Sequence, residues 1–327
     1  MGTVLVTGGT GFIGSALVRS LAAGGTRVRV LDDGSRGSVD RLAGATGEVE
    51  VLFGDIRDPA TVSRAADGVA SIWHLAAING TRFFYEMPER VLEVGIKGML
   101  NVLDAARERG VGRILVVSSS EVYQTPPLVP TDETVPLTVP DVMNPRYSYG
   151  GSKIATELLA INYGRRAFER VVVVRPHNVY GPDMGWEHVI PELAVRISAL
   201  GPRGSSVRLP IEGRGDETRA FCFVDDAVAG IRLAFERGQH LGVYHVGTDV
   251  ETRIGDLAVA IGRAIDRTVT TEPGPAKPGG TPRRCPDISR LRALGFEPRV
   301  GLDLGLARTA PWYEARADAR PRAPATR

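Results

Sequence analysis

The feature that most constrains this chain is a glycine-rich segment between its first apolar run and its first helical pattern. Residues 7–14 read Thr-Gly-Gly-Thr-Gly-Phe-Ile-Gly. Gly8 permits a tight turn, Gly11 lets a pyrophosphate approach the backbone, and Gly14 lets the helix pack closely on the strand. The helix N-terminus adds free N–H donors and a partial positive charge. The segment therefore predicts a dinucleotide site that includes Gly8, Gly11, Phe12, Ile13 and Gly14.

Short apolar runs alternate with amphipathic segments through the first half of the chain. The predicted strands are 3–7, 27–31, 49–53, 71–75, 113–118 and 170–175, and the predicted helices are 13–23, 61–66, 90–109 and 152–166. Continuous apolar strands separated by helices indicate a parallel sheet that is covered on both faces. With right-handed crossovers, this pattern predicts the α/β class and a doubly wound parallel sheet of the Rossmann type.

The alternation stops after Pro176, where proline, glycine and arginine become frequent. A helical pattern over 225–237 and a strand pattern over 243–246 predict one return to the sheet. We therefore expect residues 1–175 and 224–248 to form the Rossmann domain, and residues 176–223 and 249–313 to form a smaller second domain. Residues 314–327 are rich in Ala, Arg and Pro, lack an apolar period and are predicted to be disordered.

Composition and charge exclude several classes of partner. The 327 residues carry 40 basic and 38 acidic side chains, a net charge of +2, which provides no extended field for nucleic acid or an anionic membrane. No apolar run is long enough to cross a bilayer, and no signal-peptide pattern precedes the first strand. The two cysteines, Cys222 and Cys285, lack metal-ligand spacing. We expect a cytoplasmic protein without a metal, a nucleic acid or a membrane as partner.

An acidic residue ends the second predicted strand, where the ribose of a dinucleotide would lie. Asp32 follows Gly14 by 18 residues, and its carboxylate can accept hydrogen bonds from ribose hydroxyls and repel a 2′-phosphate. This favours NAD over NADP. The alternative is that Asp32 only forms a turn, and the nearby Arg36 would weaken the discrimination. Asp55 ends the third strand and either reaches the adenine or caps a helix.

Two polar motifs near the predicted edge of the sheet indicate proton-transfer chemistry. Tyr149 and Lys153 are four residues apart at the start of a predicted helix, so they share one face, and the ammonium would lower the pKa of the phenol. Residues 118–121 (Ser-Ser-Ser-Glu) end a parallel strand, at the edge where open sheets bind ligands. The serines alone could cap a turn, but within a Rossmann domain the two motifs support each other.

Taken together, these motifs resemble the extended short-chain dehydrogenase/reductase family, in its nucleotide-sugar epimerase/dehydratase branch, which includes the UDP-sugar 4-epimerases. The resemblance covers about residues 1–313 in the family's order. The segments that carry it are 7–14, 55–56 (Asp-Ile), 74–77 (His-Leu-Ala-Ala), 118–123, 149–153, 175–182 (Arg-Pro-His-Asn-Val-Tyr-Gly-Pro), 219–226 and 284–287.

The resemblance implies an NAD-dependent reaction on a nucleotide-activated sugar, which the second domain would bind. Tyr149 would remove a proton from a sugar hydroxyl as hydride leaves the same carbon for the nicotinamide. Lys153 would bind the nicotinamide ribose, and Ser119 would bind the reacting oxygen. The family's further cofactor contacts fall on Asp55, Ile56, Leu75, Ala76 and Ala77, and its further substrate contacts on Thr81, Ser120, His177, Asn178, Arg219 and Arg284.

Some of these assignments have alternatives. Asn178 matches a position that contacts the diphosphate, and the two arginines match positions that grip phosphate, ribose or a sugar acid, although each arginine alone would be a solvated surface charge. His177 either faces the sugar or is structural. The resemblance also implies a homodimer that pairs through residues 90–109 and 152–166.

Two departures from the family leave the reaction open. Gly95 stands where many relatives carry an asparagine near the nicotinamide. Glu121 stands where sugar dehydratases and uronate decarboxylases often have a glutamate, and it could instead be a polar residue of the turn. The first interpretation is an epimerase that acts at C4 through a 4-keto intermediate. The second is a dehydratase or uronate decarboxylase that uses Glu121. A third, a non-catalytic NAD-binding regulator, is disfavoured because Tyr149 and Lys153 are both present.

Overall fold

Fourteen strands and eleven α-helices make up the part of the protein that its computed structural model describes, residues 2–275 and 281–320. The strands are β1 (Thr3–Thr7), β2 (Val28–Asp32), β3 (Val49–Phe53), β4 (Val69–His74), β5 (Arg113–Val117), β6 (Arg170–Pro176), β7 (Val179–Tyr180), β8 (Ser206–Ile211), β9 (Thr218–Ala220), β10 (Cys222–Phe223), β11 (Gly242–Val246), β12 (Glu251–Arg253), β13 (Thr268–Pro273) and β14 (Arg283–Arg284). The helices are α1 (Phe12–Ala23), α2 (Pro59–Ala65), α3 (Thr81–Glu86), α4 (Pro88–Leu92), α5 (Gly98–Glu108), α6 (Ser148–Ala167), α7 (Val189–Leu200), α8 (Val224–Arg237), α9 (Ile254–Ala264), α10 (Ser289–Ala293) and α11 (Leu302–Glu314).

Seven of the strands form one parallel sheet in the order β11-β6-β5-β4-β1-β2-β3. Chain order reverses at β1, so the strand ends flank a crevice at that point. The predicted doubly wound Rossmann sheet is confirmed. The predicted return to the sheet is also observed, because α8 packs against β6 and β11 supplies the edge strand.

Valine-rich strands explain why both faces of this sheet are covered. In β6, Val172 and Val174 belong to the apolar cluster that contains α1 and α8, whereas Val171 and Val173 belong to the cluster that contains α2, α5 and α6. Alternate side chains of a strand point to opposite faces, so a run of four valines needs a helical layer on each side. All four are fully buried.

A separate apolar cluster forms around α7, α9 and α11, together with the parallel pair β8–β13. It lies largely within the predicted second domain. One segment departs from the predicted division: Ile288, Leu291 and Phe296 pack in the core of the central sheet, because α10 lies beside β11. Of the predicted tail, Glu314 ends α11 and residues 317–319 form a 3₁₀ turn, whereas residues 321–327 lie outside the described residues.

The helix predicted over 90–109 is not continuous. It begins earlier, at Pro88, and a π-helical turn over Glu93–Lys97 separates α4 from α5. Two contacts with α6 account for the wider turn. The Gly95 carbonyl accepts a hydrogen bond from Thr156 Oγ1 (3.2 Å), and a Cβ at Gly95 would lie 2.7 Å from the Ser152 Cβ. Gly95 thus permits close approach of this turn to the helix that carries Tyr149.

In residues 2–275 and 281–320, no helix has both the length and the apolar character that crossing a bilayer would require.

Candidate active site

A cavity of about 450 Å³ lies at the carboxyl ends of the central strands. Its size is typical of a small-molecule or cofactor site. All of the residues predicted to bind the dinucleotide line it. They are Gly8, Gly11, Phe12, Ile13, Gly14, Asp32, Asp55, Ile56, Leu75, Ala76, Ala77, Tyr149 and Lys153.

At two glycines of the glycine-rich turn, a side chain would collide with the protein backbone. Gly8 has a φ of +73°, and a Cβ there would lie 2.8 Å from the Ala76 backbone. A Cβ at Gly14 would lie 2.1 Å from the Gly8 carbonyl oxygen. The first turn of α1 carries no acidic side chain, and the residues at its start line the cavity, so the partial positive charge of the helix N-terminus lies beside it. The turn therefore fits a pyrophosphate group.

Asp32 lies at the end of β2, on the wall of the same cavity, and is only 8% exposed. Its carboxylate accepts hydrogen bonds from the backbone N–H groups of Thr10 and Gly34, both at 2.9 Å. These bonds fix a negative charge where the ribose of a dinucleotide would lie. Asp55 also lines the wall, and its hydrogen bonds with Arg57 lower the pKa of the Asp55 carboxyl group.

The three predicted catalytic side chains Ser119, Tyr149 and Lys153 meet at one end of the cavity. The Ser119 hydroxyl accepts a hydrogen bond of 3.2 Å from the Glu121 backbone N–H, and its interaction with the Tyr149 phenol lowers the pKa of Tyr149. Lys153 lies one helical turn after Tyr149, and its Nζ is 5.8 Å from the centre of the tyrosine ring. The Lys153 ammonium donates a hydrogen bond of 2.7 Å to the carbonyl oxygen of Val117, at the end of β5.

The predicted lowering of the Tyr149 pKa by Lys153 is wrong for this structure. Burial raises the pKa of Tyr149 to about 12, while the Ser119 hydrogen bond lowers it and the charge of Glu121 raises it. The ammonium of Lys153 points to a backbone carbonyl and not to the phenol oxygen. Burial also lowers the pKa of Lys153 to about 8, although the charge of Glu157 acts in the opposite direction.

Glu121 and Arg284 form an ion pair in the cavity wall, with a distance of 2.5 Å between Glu121 Oε1 and the Arg284 guanidinium. Arg284 is held by β14, and its guanidinium also contacts the Gln124 carbonyl oxygen at 3.4 Å. The pair brings a strand from the C-terminal part of the chain to within reach of the Tyr149 site. A carboxylate and a guanidinium cation therefore both line the cavity.

Three other predicted substrate residues, Thr81, Ser120 and Asn178, line the cavity. Asn178 has a positive φ of 39°, and its Nδ2 donates to the carbonyl oxygen of Ala220 at 3.1 Å. Arg219 is not in the cavity wall. It lies beside Arg284, in register across the β9–β14 pair, and donates to the neighbouring Thr218 carbonyl oxygen at 2.7 Å.

His177 is not a cavity residue, which favours the structural alternative over contact with the sugar. Its backbone N–H donates to Val246 of the edge strand, and its side chain turns inward against His245, with ring centroids 4.6 Å apart. It is 1% exposed, and neither ring nitrogen has a hydrogen-bond partner among the residues that the structure describes. Burial holds the pKa of His177 well below its usual value, so the ring is neutral.

Two contacts at the rim of the cavity could not be read from the sequence. Phe84 of α3 lies against Tyr149, with the rings stacked. Arg41, in a 3₁₀ turn after β2, forms two hydrogen bonds with the Asp183 carboxylate at 2.7 and 2.8 Å and so joins the segment after β2 to the segment after β7. Neither contact follows from spacing, because each joins segments that are distant along the chain.

The profile of the NAD-dependent epimerase/dehydratase family matches residues 4–247, which is more than half of the chain. The chain belongs to this family. Curated relatives of similar length have different activities. The chain is 34% identical to a UDP-glucose 4-epimerase of Mycolicibacterium smegmatis over 316 residues, 94% of this chain and 97% of the relative. It is 32% identical to a dTDP-4-dehydro-6-deoxy-D-allose reductase of a Streptomyces species over 324 residues, 95% and 96% of the two chains.

A third family member extends this range of activities. UDP-glucuronic acid decarboxylase 1 of Arabidopsis thaliana is 31% identical over 310 residues, 93% of this chain and 68% of the relative. Family membership therefore indicates NAD-dependent chemistry on nucleotide sugars without selecting one reaction.

Solved structures of family members superpose over almost the whole chain. A UDP-glucose 4-epimerase of Thermus thermophilus, in complex with NAD, has a TM-score of 0.81, 29% identity and coverage of 95% of this chain and 98% of its own. A dTDP-glucose 4,6-dehydratase of Streptomyces venezuelae, also with NAD bound, has a TM-score of 0.83, 30% identity and coverage of 97% and 98%. The family's cofactor is NAD, and the glycine turn and Asp32 of this chain fit it.

Proposed function

We propose that the protein is an NAD-dependent epimerase that inverts C4 of a nucleotide-activated sugar. The observation that carries the proposal is that Ser119, Tyr149 and Lys153 line the same cavity as the glycine turn and Asp32. When bound, the nicotinamide ring supplies a reversible hydride acceptor. The chain then has to bind the sugar, take up a hydroxyl proton and return it.

Each of the three side chains has a separate part in this reaction. Tyr149 accepts the proton of the C4 hydroxyl as hydride leaves C4, and gives it back when the hydride returns to the opposite face of the 4-keto sugar. Ser119 donates a hydrogen bond to the reacting oxygen and stabilises the charge that develops there. Lys153 would bind the ribose of the cofactor, and its positive charge would then favour ionisation of the phenol.

The ion pair between Glu121 and Arg284 supports epimerisation over elimination or decarboxylation. Inversion at C4 moves hydride and one hydroxyl proton, so no further base is needed. In this structure Glu121 Oε1 is bound to Arg284 at 2.5 Å, which suits a residue that orients an arginine toward the nucleotide sugar.

A second candidate is a dehydratase or uronate decarboxylase that uses Glu121 on the same 4-keto intermediate. The observation that favours it is that Glu121 faces the cavity together with a cation, Arg284, and that its charge acts on Tyr149. A carboxylate at this position could remove a C5 proton, and an arginine could hold a sugar acid.

Turnover in D₂O separates the two candidates. A C4 epimerase moves no carbon-bound proton to solvent, so NMR of the product should show no carbon-bound deuterium, and Glu121→Gln should retain most activity. A matched control is Glu251→Gln, which removes the partner of the neighbouring Arg283 outside the cavity. Deuterium at C5 with activity lost only in Glu121→Gln would establish the second candidate, and release of carbon dioxide from a uronate would select the decarboxylase.

We also propose that the protein is a homodimer whose subunits pair through the outer faces of the α4–α5 segment and α6. Exposed apolar side chains on both elements support this, since Leu158 of α6 is 59% exposed and Leu92 of α4 is 37% exposed. The apolar cluster around α7, α9 and α11 belongs to the unit that is proposed to bind the nucleotide of the substrate.

A further inference from the structure

Three consecutive residues at the end of β5 face three residues from one side of α6. Lys153 donates to the carbonyl oxygen of Val117 and the Ser118 hydroxyl donates to Glu157, while the Ser119 hydroxyl interacts with Tyr149 and lowers its pKa. The helix residues are spaced by four, so all three side chains lie along one stripe of α6. Two of these contacts belong to predicted catalytic residues, and the third, from Glu157, has no part in the proposed reaction.

Glu157 is buried, with a side chain only 6% exposed, and its carboxylate is fully engaged. Besides Ser118, it binds Arg175 through two hydrogen bonds, at 2.9 Å from Nε to Oε1 and 2.6 Å from Nη2 to Oε2. Arg175 is held in turn by the Tyr123 hydroxyl and by the Glu133 carbonyl oxygen at 3.2 Å. A planar guanidinium bound at both ends has little freedom, so the carboxylate that it grips is fixed in space.

We propose that Glu157 is a positioning residue for the reaction: its carboxylate holds Ser118, and thereby the adjacent Ser119, against Tyr149, and it places a negative charge one helical turn from the Lys153 ammonium. Glu157 does not line the cavity, so it acts through these neighbours and does not touch the substrate. The inference rests on the proposed function only for the statement that Ser119 and Tyr149 act on the sugar.

The electrostatic part of this role depends on which charged groups surround Lys153. Tyr149 on the same helix and His74 on β4 face Lys153, and burial lowers the pKa of His74 to about 3, so His74 adds no charge. Glu157 is then the anion whose charge raises the pKa of Lys153 against the effect of burial. Arg175 and Tyr123 face Glu157 from β6 and from the loop after β5.

The chain offers a direct measurement, because it contains only three lysines, at positions 97, 153 and 277. In NAD-loaded protein labelled with ¹³C and ¹⁵N at lysine, Lys97→Arg and Lys277→Arg assign the signals, and the remaining signal reports protonation of Lys153 as pH is varied. In Glu157→Gln, Lys153 should lose its proton at a lower pH than in the unaltered protein. The control Glu314→Gln removes a carboxylate partner of the buried Arg267 at the end of α11, and it should leave the Lys153 titration unchanged.

Ser118→Ala removes the hydrogen bond by which Glu157 holds Ser118, but it keeps the Glu157–Arg175 ion pair. This variant therefore tests the positioning role even if Glu157→Gln does not fold. We expect kcat to fall by up to about a hundredfold with KM and NAD content unchanged, because small displacements of a reacting group can cost that much. The Lys153 titration should not move in this variant. An unshifted Lys153 titration in folded Glu157→Gln, or an unchanged kcat in Ser118→Ala, would overturn the proposal. If no nucleotide sugar is turned over, the proposed function fails and the Lys153 titration alone decides the role of Glu157.

Discussion

The ring of Phe84 stacks on the ring of Tyr149, with centroids 5.1 Å apart and planes 8° from parallel. Phe84 lies on α3 at the rim of the cavity, whereas Tyr149 lies in the first turn of α6. The stacked ring keeps water from one face of the phenol, and burial is the main reason that the pKa of Tyr149 is raised to about 12. An apolar side chain therefore helps to set the acidity of the group that is proposed to carry the proton.

Replacing Phe84 with alanine should move the acid limb of the kcat pH profile to lower pH. The phenolate form of Tyr149 is the base, and a less buried phenol ionises at lower pH because its anion is better solvated. Phe83→Ala is the matched control, since the Phe83 ring faces the Arg36 guanidinium at 4.1 Å and not Tyr149. Acid limbs at the same pH in Phe84→Ala and the unaltered enzyme would contradict this account of Tyr149.

Tyr149→Phe should lower turnover by roughly a hundredfold or more, the usual contribution of a general acid–base group. NAD binding should remain nearly intact, because the ring and its stacking on Phe84 are kept. Tyr163→Phe, on the same helix but outside the cavity wall, serves as the control. Near-normal turnover by Tyr149→Phe on an identified substrate would remove the phenol from the mechanism.

The purified protein should carry NAD(H) and not NADP(H). Asp32 presents a fixed carboxylate to the ribose region, where it repels a 2′-phosphate. Mass spectrometry of the nucleotide that denaturation releases would identify it. Asp32→Asn should bind NADP more tightly than the unaltered protein does, whereas Asp33→Asn, whose side chain bonds Ser35, should not. Release of NADP(H) from the unaltered protein would defeat the argument from Asp32.

Light scattering should give twice the 35.0 kDa mass of one chain at micromolar concentration. Leu158→Lys should shift the protein toward the monomer, because it places a charge in the proposed apolar contact of α6. Leu304→Lys on α11 is the control, since Leu304 is similarly exposed, at 49%, but lies outside the proposed interface. A monomer from the unaltered chain would reject the homodimer.

Local patterns predicted the central sheet well because its strands are continuous apolar runs. The strands over 3–7 and 49–53 have the predicted bounds, and the glycine turn, Ser119, Tyr149 and Lys153 all line one cavity. The features that local patterns could not decide depend on contacts between distant segments. The π-helical turn needs Ser152 and Thr156 of another helix, and the inward turn of His177 needs the edge strand β11.

The sequence also could not predict that the pKa of Tyr149 is raised, and the reason is related. Spacing places Lys153 on the same helical face, but only the folded chain shows that its ammonium is bound to Val117 and that Phe84 covers the phenol. Burial then outweighs the attraction of a cation that points elsewhere. Strands such as β8 and β13 were not predicted, because their neighbourhood is rich in proline and glycine.

The position of β11 has a consequence for how the protein can be made. The sheet receives its seventh strand from residues 242–246, more than sixty residues after β6 ends, and the part of that interval before α8 contributes to the other unit. Until those residues leave the ribosome, β6 is an edge strand with unpaired backbone groups and a run of four valines. Such an edge is a template for pairing with other chains. A gene fragment that stops after Pro176 should therefore yield aggregated protein, and the nascent chain passes through the same state during every round of synthesis.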